Sequence, residues 1–245
     1  MITSVKNEKV KSWKKLHKRK ERVNTGTFFI EGFHLIEEAR KSDWKIIEVI
    51  AQQGIDLPVW CEGMDVTIVS DNVFNHISQT QTPQGVAAIV EMKQTNALEG
   101  NHMLLIDSIQ DPGNLGTIIR TADAAGFGGI ILGDGTVDVY NDKVIRATQG
   151  SIFHIALLQR NLEDAISELK ADGFSVWATA LEYAVKYNEV PLEEKVALIL
   201  GNEGAGVQQD IIAQSDKIVN IPIYGQAESL NVSIAAGILM YYVKG

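Results

Sequence analysis

Residues Ile221 to Ala236 read I-P-I-Y-G-Q-A-E-S-L-N-V-S-I-A-A, and no other stretch narrows the fold of this chain as much. The pattern predicts a strand ending at Ile221, a turn opened by Pro222, and a helix that is apolar from about Leu230 to Val243. Ser229, Asn231 and Ser233 stand at alternate positions at the mouth of that helix. Polar groups entering a buried helix are costly unless they cap it or bind something. For Ser229 both readings stay open on this segment alone: a cap, or part of a site.

Two segments upstream share the same strand, turn and helix order. Asp111-Pro112-Gly113-Asn114-Leu115-Gly116-Thr117-Ile118-Ile119-Arg120-Thr121-Ala122 follows an apolar strand candidate, Met103 to Ile106, and runs into a helical pattern as far as Ala125. Free N–H groups at the start of such a helix can hold an anion. Arg120 lies six residues beyond Asn114, in the opening turns. Leu198-Ile199-Leu200-Gly201-Asn202-Glu203-Gly204-Ala205-Gly206 repeats the order. Glycines there let backbone approach a ligand closely, although one Gly-rich turn by itself is ordinary βα punctuation. The three segments together, in this order and spacing, are specific.

They resemble the three motifs of the SpoU (TrmH-type) RNA 2'-O-ribose methyltransferases, in the knotted SPOUT superfamily. The resemblance runs from about Met103 to the C-terminus and includes Lys143-Val144-Ile145-Arg146-Ala147-Thr148-Gln149-Gly150-Ser151. Thr148 stands where serine is common in the family and keeps the hydroxyl. In the front part, Phe29-Ile30-Glu31-Gly32 and Thr82-Pro83-Gln84-Gly85-Val86 resemble, less specifically, the ribosomal-protein-like RNA-binding domain that many members carry. The resemblance implies an α/β chain: a small α/β RNA-binding domain with a basic arm over residues 1–95, then a parallel-sheet domain with a deep trefoil knot over 96–245. It further implies S-adenosylmethionine as cofactor, no metal ion, a homodimer, and methylation of a ribose 2'-hydroxyl. Large-subunit ribosomal RNA is the expected substrate, with transfer RNA as the alternative.

Methyl transfer to a ribose hydroxyl is an in-line displacement in which the cofactor brings the electrophile and the protein brings orientation and electrostatics. The implied catalytic set is Arg120, Asn114, Glu203, Asn231 and Ser229. Arg120 matches the family's catalytic arginine. A guanidinium hardly deprotonates in a protein, so a fixed cation beside the developing alkoxide is sounder than a literal base. Asn114 and Asn231 match residues that position Arg120 and the target nucleotide. Glu203 matches an acidic residue that holds or polarises the cluster, although a carboxylate at a helix N-terminus is also favoured by the dipole alone. Thr179, Leu200, Gly201, Ile221 and Leu230 are implied to form the cofactor pocket. Lys11, Lys14, Lys15, Lys18, Arg19 and Arg146 are the expected RNA contacts, with a surface ion pair as the alternative for Arg146.

Charge sets these cations apart. The 245 residues carry a formal net charge of -9, which argues against a generic nucleic-acid binder. Residues 1–22, however, hold nine of the 22 Lys/Arg and two of the 31 Asp/Glu, a balance of +7. Thirteen basic and twenty-nine acidic residues remain elsewhere, a balance of -16. Such asymmetry reads as a basic arm on an acidic body, positioned to meet phosphates. Trp13 and His17, at i and i+4, are placed to pack or stack. A content of 45% hydrophobic and 22% charged residues describes an ordinary globular chain. The lone Cys61 excludes an internal disulfide, and the expected setting is the cytoplasm, with no membrane span and no signal peptide.

The front part is predicted as a basic helix over Ser4–Lys20, strands at Thr27–Ile30, Ile46–Ile50, Val66–Val69 and Val86–Val90, and helices at Gly32–Lys41 and Asp71–His76. The polar stretch Lys93–Asn101 marks the expected boundary. Beyond it, short apolar strands alternate with amphipathic helices, the signature of a parallel sheet covered on both faces. Two other classes fit the chain less well. A non-catalytic RNA-binding or ribosome-assembly factor would not require Asn114, Arg120, Glu203 and Asn231 together. A nicotinamide dehydrogenase rests on Gly133-Asp134-Gly135, which lacks the full glycine spacing and the first strand of a βαβ unit.

Overall fold

The computed structural model describes residues 1–42, 44–93 and 98–245. In chain order the helices are α1 (Glu8–Lys15), α2 (Arg19–Thr25), α3 (Phe33–Lys41), α4 (Asp71–Ile77), α5 (Pro112–Ala124), α6 (Asp142–Thr148), α7 (Leu162–Ala171), α8 (Gln209–Ala213) and α9 (Val232–Lys244). The strands are β1 (Thr27–Glu31), β2 (Ile46–Gln52), β3 (Val66–Val69), β4 (Val86–Glu91), β5 (His102–Ile106), β6 (Gly129–Leu132), β7 (Leu157–Gln159), β8 (Ser175–Thr179), β9 (Val185–Lys186), β10 (Val196–Leu200) and β11 (Lys217–Asn220). They form two compact units: Met1–Gln94 with Tyr140–Phe153, and Thr95–Val139 with His154–Gly245. The boundary expected between residues 95 and 96 lies outside the described residues. Residues 140–153, read from sequence as part of the second domain, build into the first unit.

In the first unit the strand order is β1-β4-β2-β3, antiparallel except for the parallel pair β2 and β3. The basic segment is not a free arm. Val10, Trp13 and Leu16 recur at three-residue spacing and bury that side of α1 in a core with Val73, Phe74 and Ile77 of α4. Nor is it one helix over Ser4–Lys20, because the chain breaks between α1 and α2. The buried Arg22 guanidinium donates to the Leu16 carbonyl at 2.7 Å, and the His17 ring donates to the Ile77 carbonyl at 2.8 Å. Trp13 Nε1 and Lys9 Nζ both donate to the Glu48 carboxylate, at 3.2 and 2.7 Å. Trp13 and His17 therefore pack rather than stack on a ligand.

Helix α6 packs on β1. Around it, Phe28 meets Tyr140 at 4.7 Å between ring centroids and Phe153 at 6.4 Å. Trp44 Nε1 donates to the Phe153 carbonyl at 3.1 Å.

The second unit is one seven-stranded sheet, β7-β6-β5-β10-β8-β11-β9, with every neighbouring pair parallel. The runs Met103–Ile106 and Val196–Leu200 are buried throughout, as strands covered on both faces must be. Met103, Leu105, Val176, Ala197 and Ile199 pack against Leu162, Ile166 and Leu169 of α7 and Ile211 of α8. Helix α9 packs against α5 and β10. Its Ala236, Leu239, Met240 and Val243 are buried, while Ile234 and Tyr241 stay 55% and 58% exposed. Among the described residues no helix is long and apolar enough to cross a membrane.

Candidate active site

Parallel strands deliver their carboxyl ends to one edge of a sheet, the usual place for a ligand crevice in open α/β folds. Here β10, β8 and β11 are adjacent, so Leu200, Thr179 and Asn220 end side by side. Thr179 Oγ1 donates to the Ile199 carbonyl at 3.1 Å. Gly201 continues from Leu200, and a Cβ there would lie 2.2 Å from the backbone of Gly206 and Val207, so no other residue fits. Ile221 follows Asn220, and Leu230 is 37% exposed just before α9. Four of the five expected pocket residues thus share one edge, and Leu230 stands at the entry of the helix packed on β10. Asn220 adds an unexpected feature, a buried amide oxygen without a hydrogen-bond partner among the described residues.

The polar cluster is built from the starts of α5 and α9 and from the loop after β10. Asp111 caps α5 by accepting from the Asn114 N–H at 2.8 Å, with Pro112 in the first turn where no amide is needed. That fixes the Asn114 amide, which donates to Glu203 Oε1 at 3.1 Å. The same carboxylate accepts the N–H groups of Gln110 and Asp111 at 3.2 and 3.0 Å. Asn231 Nδ2 donates to Asn114 Oδ1 at 3.0 Å. Asn231 Oδ1 in turn accepts from the Ser233 N–H at 2.9 Å and the Ser233 hydroxyl at 2.6 Å, so Asn231, not Ser229, caps α9. A continuous chain runs Glu203, Asn114, Asn231, Ser233. Burial would push the Glu203 carboxyl up; bonds from the Asn114 amide and from the N–H groups of Asp111, Glu203 itself and Gln110 outweigh it and hold the carboxyl below its ordinary value.

Two expected members stand outside this chain. Ser229 is exposed in the loop before α9, without a hydrogen-bond partner among the described residues. Arg120 is exposed on α5, and its guanidinium also has no hydrogen-bond or ion-pair partner among them. Of the expected RNA contacts, Lys11 pairs with Glu8 and Arg146 with Asp142, each at 2.7 Å. Lys14, Lys15, Lys18 and Arg19 have no ion-pair partner among the described residues. Lys20 is in the same condition and was not singled out. Sequence reading also missed Asp107, only 1% exposed, and Asn202, whose side chain organises the glycine loop. Asn202 is adjacent to Glu203, and an acid ending the apolar run Met103–Ile106 was a signal for Asp107. No group of three or more His, Cys, Asp or Glu among the described residues is placed to hold a metal ion.

Comparison with known proteins identifies the family. Residues 101–241 match the SpoU rRNA Methylase family, and residues 7–88 match the MRM3-like substrate binding domain. A relative from Bacillus subtilis (strain 168), 23S rRNA (guanosine(2553)-2'-O)-methyltransferase RlmP, is 49% identical over 245 residues, covering 100% of this chain and 99% of its own. The AdoMet-bound rRNA methyltransferase from Sinorhizobium meliloti has a TM-score of 0.89 at 34% identity, covering 99% of this chain and 96% of that one. The SpoU methyltransferase AviRb from Streptomyces viridochromogenes, in complex with AdoMet, has a TM-score of 0.89 at 25% identity, over 98% and 97% of the two chains. The resemblance carried by the three motifs is borne out, and this chain belongs to the SpoU rRNA methylase family.

Proposed function

We propose that this protein is a cytoplasmic enzyme that methylates a ribose 2'-hydroxyl of large-subunit ribosomal RNA, using S-adenosylmethionine. The observation that carries the reading is the hydrogen-bonded chain Glu203–Asn114–Asn231, which draws together segments 89 and 117 residues apart in sequence. Local propensity cannot produce such a juxtaposition, and a binding module has no need of it. Bound S-adenosylmethionine supplies the electrophilic methyl group. Thr179, Leu200, Gly201, Ile221 and Leu230 would hold it at the strand ends, where backbone groups and partly exposed apolar side chains suit a nucleoside. The buried Asn220 oxygen fits an N–H donor of such a ligand, since an unmade bond there is costly. Glu203 and the two asparagines fix the start of α5, and the uncommitted Arg120 guanidinium stabilises negative charge as it grows on the ribose oxygen. The knotted path belongs to the same reading.

Mapping ribose methylation in ribosomal and transfer RNA from a deletion strain tests the substrate. Loss of one large-subunit methylation is expected, and the guanosine named for the Bacillus subtilis relative is the first position to inspect. Loss confined to transfer RNA would overturn it. Cofactor binding is expected to be independent of metal, so calorimetry should give the same affinity with and without a chelator. A site emptied by the chelator would contradict this.

We also propose a homodimer through α9, because Ile234 and Tyr241 leave apolar surface on a helix whose other side is buried. Light scattering at micromolar concentration should give twice the chain mass. A stable monomer would refute the interface.

A further inference from the structure

We propose that Asn202 is a positioning residue that holds Glu203 in register, with Asp107 closing the same clasp from the other end of the loop. The loop leaves β10 at Gly201 and folds back on itself. The N–H and C=O of Asn202 pair with those of Gly206, both at 3.0 Å, and Gly206 turns the chain at φ +72°. The Asn202 side chain then performs two separate tasks. Its Oδ1 accepts the N–H groups of Gly204 and Ala205 at 2.9 and 3.0 Å, which shapes the turn. Its Nδ2 donates at 2.8 Å to the carbonyl of Ser108, in the segment that follows β5. The turn does not need that second bond. What it does is fasten the first residues of the loop to the segment whose Gln110 and Asp111 N–H groups meet Glu203.

The far end of the loop is fastened to the neighbouring residue. The buried Asp107 carboxylate accepts from the Gln208 N–H at 2.7 Å and from the Gln208 amide at 2.5 Å. It also accepts the Ser108 hydroxyl at 3.0 Å. Ser108 itself sits at φ +61°, a left-handed conformation that a serine adopts only when its surroundings hold it. Consecutive residues 107 and 108 therefore grip the two ends of one loop, and Glu203 lies between the grips. Its three partners are only partly shielded from water, so the carboxylate needs a fixed backbone to prefer them.

The inference rests on the role given above to Glu203, and the test separates the two. Asn202→Asp keeps an oxygen for the turn and removes the donor to Ser108; Asn202→Ala removes both. A residue that merely forms the turn would leave the aspartate variant near wild type. Positioning instead predicts that both variants lose about tenfold to a hundredfold in single-turnover methyl transfer, with cofactor affinity retained. Adding Glu203→Gln to either should cost little more, because residues acting through one another are non-additive. The second readout needs no RNA. Amide exchange at Gln110 and Asp111 should speed up by about tenfold in both variants while the β10 amides stay protected. A wild-type rate for Asn202→Asp, additivity with Glu203→Gln, or unchanged exchange at Gln110 and Asp111 would each overturn the proposal. A wild-type rate for Glu203→Gln alone would instead sink the role given to Glu203. The exchange measurement would still decide whether Asn202 holds it.

Discussion

Arg120→Lys should lower single-turnover methyl transfer by about 10²–10³-fold, the usual loss when one preorganised donor to developing charge is removed. Cofactor and RNA affinity should stay near wild type. The structure sharpens this expectation, because Arg120 is exposed on α5 and spends its guanidinium on no other described residue. Lysine at that position therefore breaks no structural bond, and fold stability should not change. Simple attraction of a phosphate would survive the exchange, since the positive charge remains. A planar, forked contact beside the ribose hydroxyl would not, because an ammonium cannot hold the same geometry. The deciding measurement uses saturating RNA and labelled cofactor under single-turnover conditions. A rate within about threefold of wild type, or roughly 0.65 kcal/mol, would place Arg120 outside the transition-state contacts.

Replacing Lys14, Lys15, Lys18, Arg19 and Lys20 together by glutamine should weaken RNA binding and flatten its salt dependence. If all five meet phosphates, the slope of log affinity against log salt should shrink by about four, at roughly 0.7–0.9 per contact. Cofactor affinity should be untouched. Truncation at residue 22 would be the wrong experiment, because it removes Val10, Trp13 and Leu16 from the core of the first unit. Lys9 and Arg22 are left in place for a similar reason, being tied to Glu48 and to the Leu16 carbonyl. An unchanged slope would make the cluster a solvated surface and leave RNA recognition to other residues.

What could be read in the sequence follows from how local each signal is. The strand Val66–Val69 appears with the bounds predicted for it, and Gly129–Leu132 and Val196–Leu200 are short runs buried throughout, for which a strand has few alternatives. The two-residue β9 carries no such signal, because both its residues are exposed and it exists only by pairing with β11. The break between α1 and α2 was equally silent. No proline or glycine marks it, and the groups that enforce it, Arg22 and the Ile77 carbonyl, act through the tertiary fold.

At the site, motif spacing placed Asn114, Glu203 and Asn231 on three segments but could not say that their side chains touch. It also singled out Ser229, because a capping residue is recognised by where the helix begins, and α9 begins at Val232 rather than Leu230. Asn202 was overlooked because its bond to Ser108 joins residues 94 apart in sequence.

Residues 140–153 complete the first unit, although the chain reaches them only after passing through β5, α5 and β6 of the second. Synthesis runs in one direction, so the first unit is born incomplete. Some sixty residues must follow its own front segment before Tyr140 to Phe153 exist, a wait of about 3–12 s at ordinary translation speeds. In that interval Phe28 keeps Trp44 as a ring neighbour and lacks Tyr140 and Phe153. The nascent front segment thus presents an aromatic surface to the cell until sequence encoded well downstream arrives to cover it.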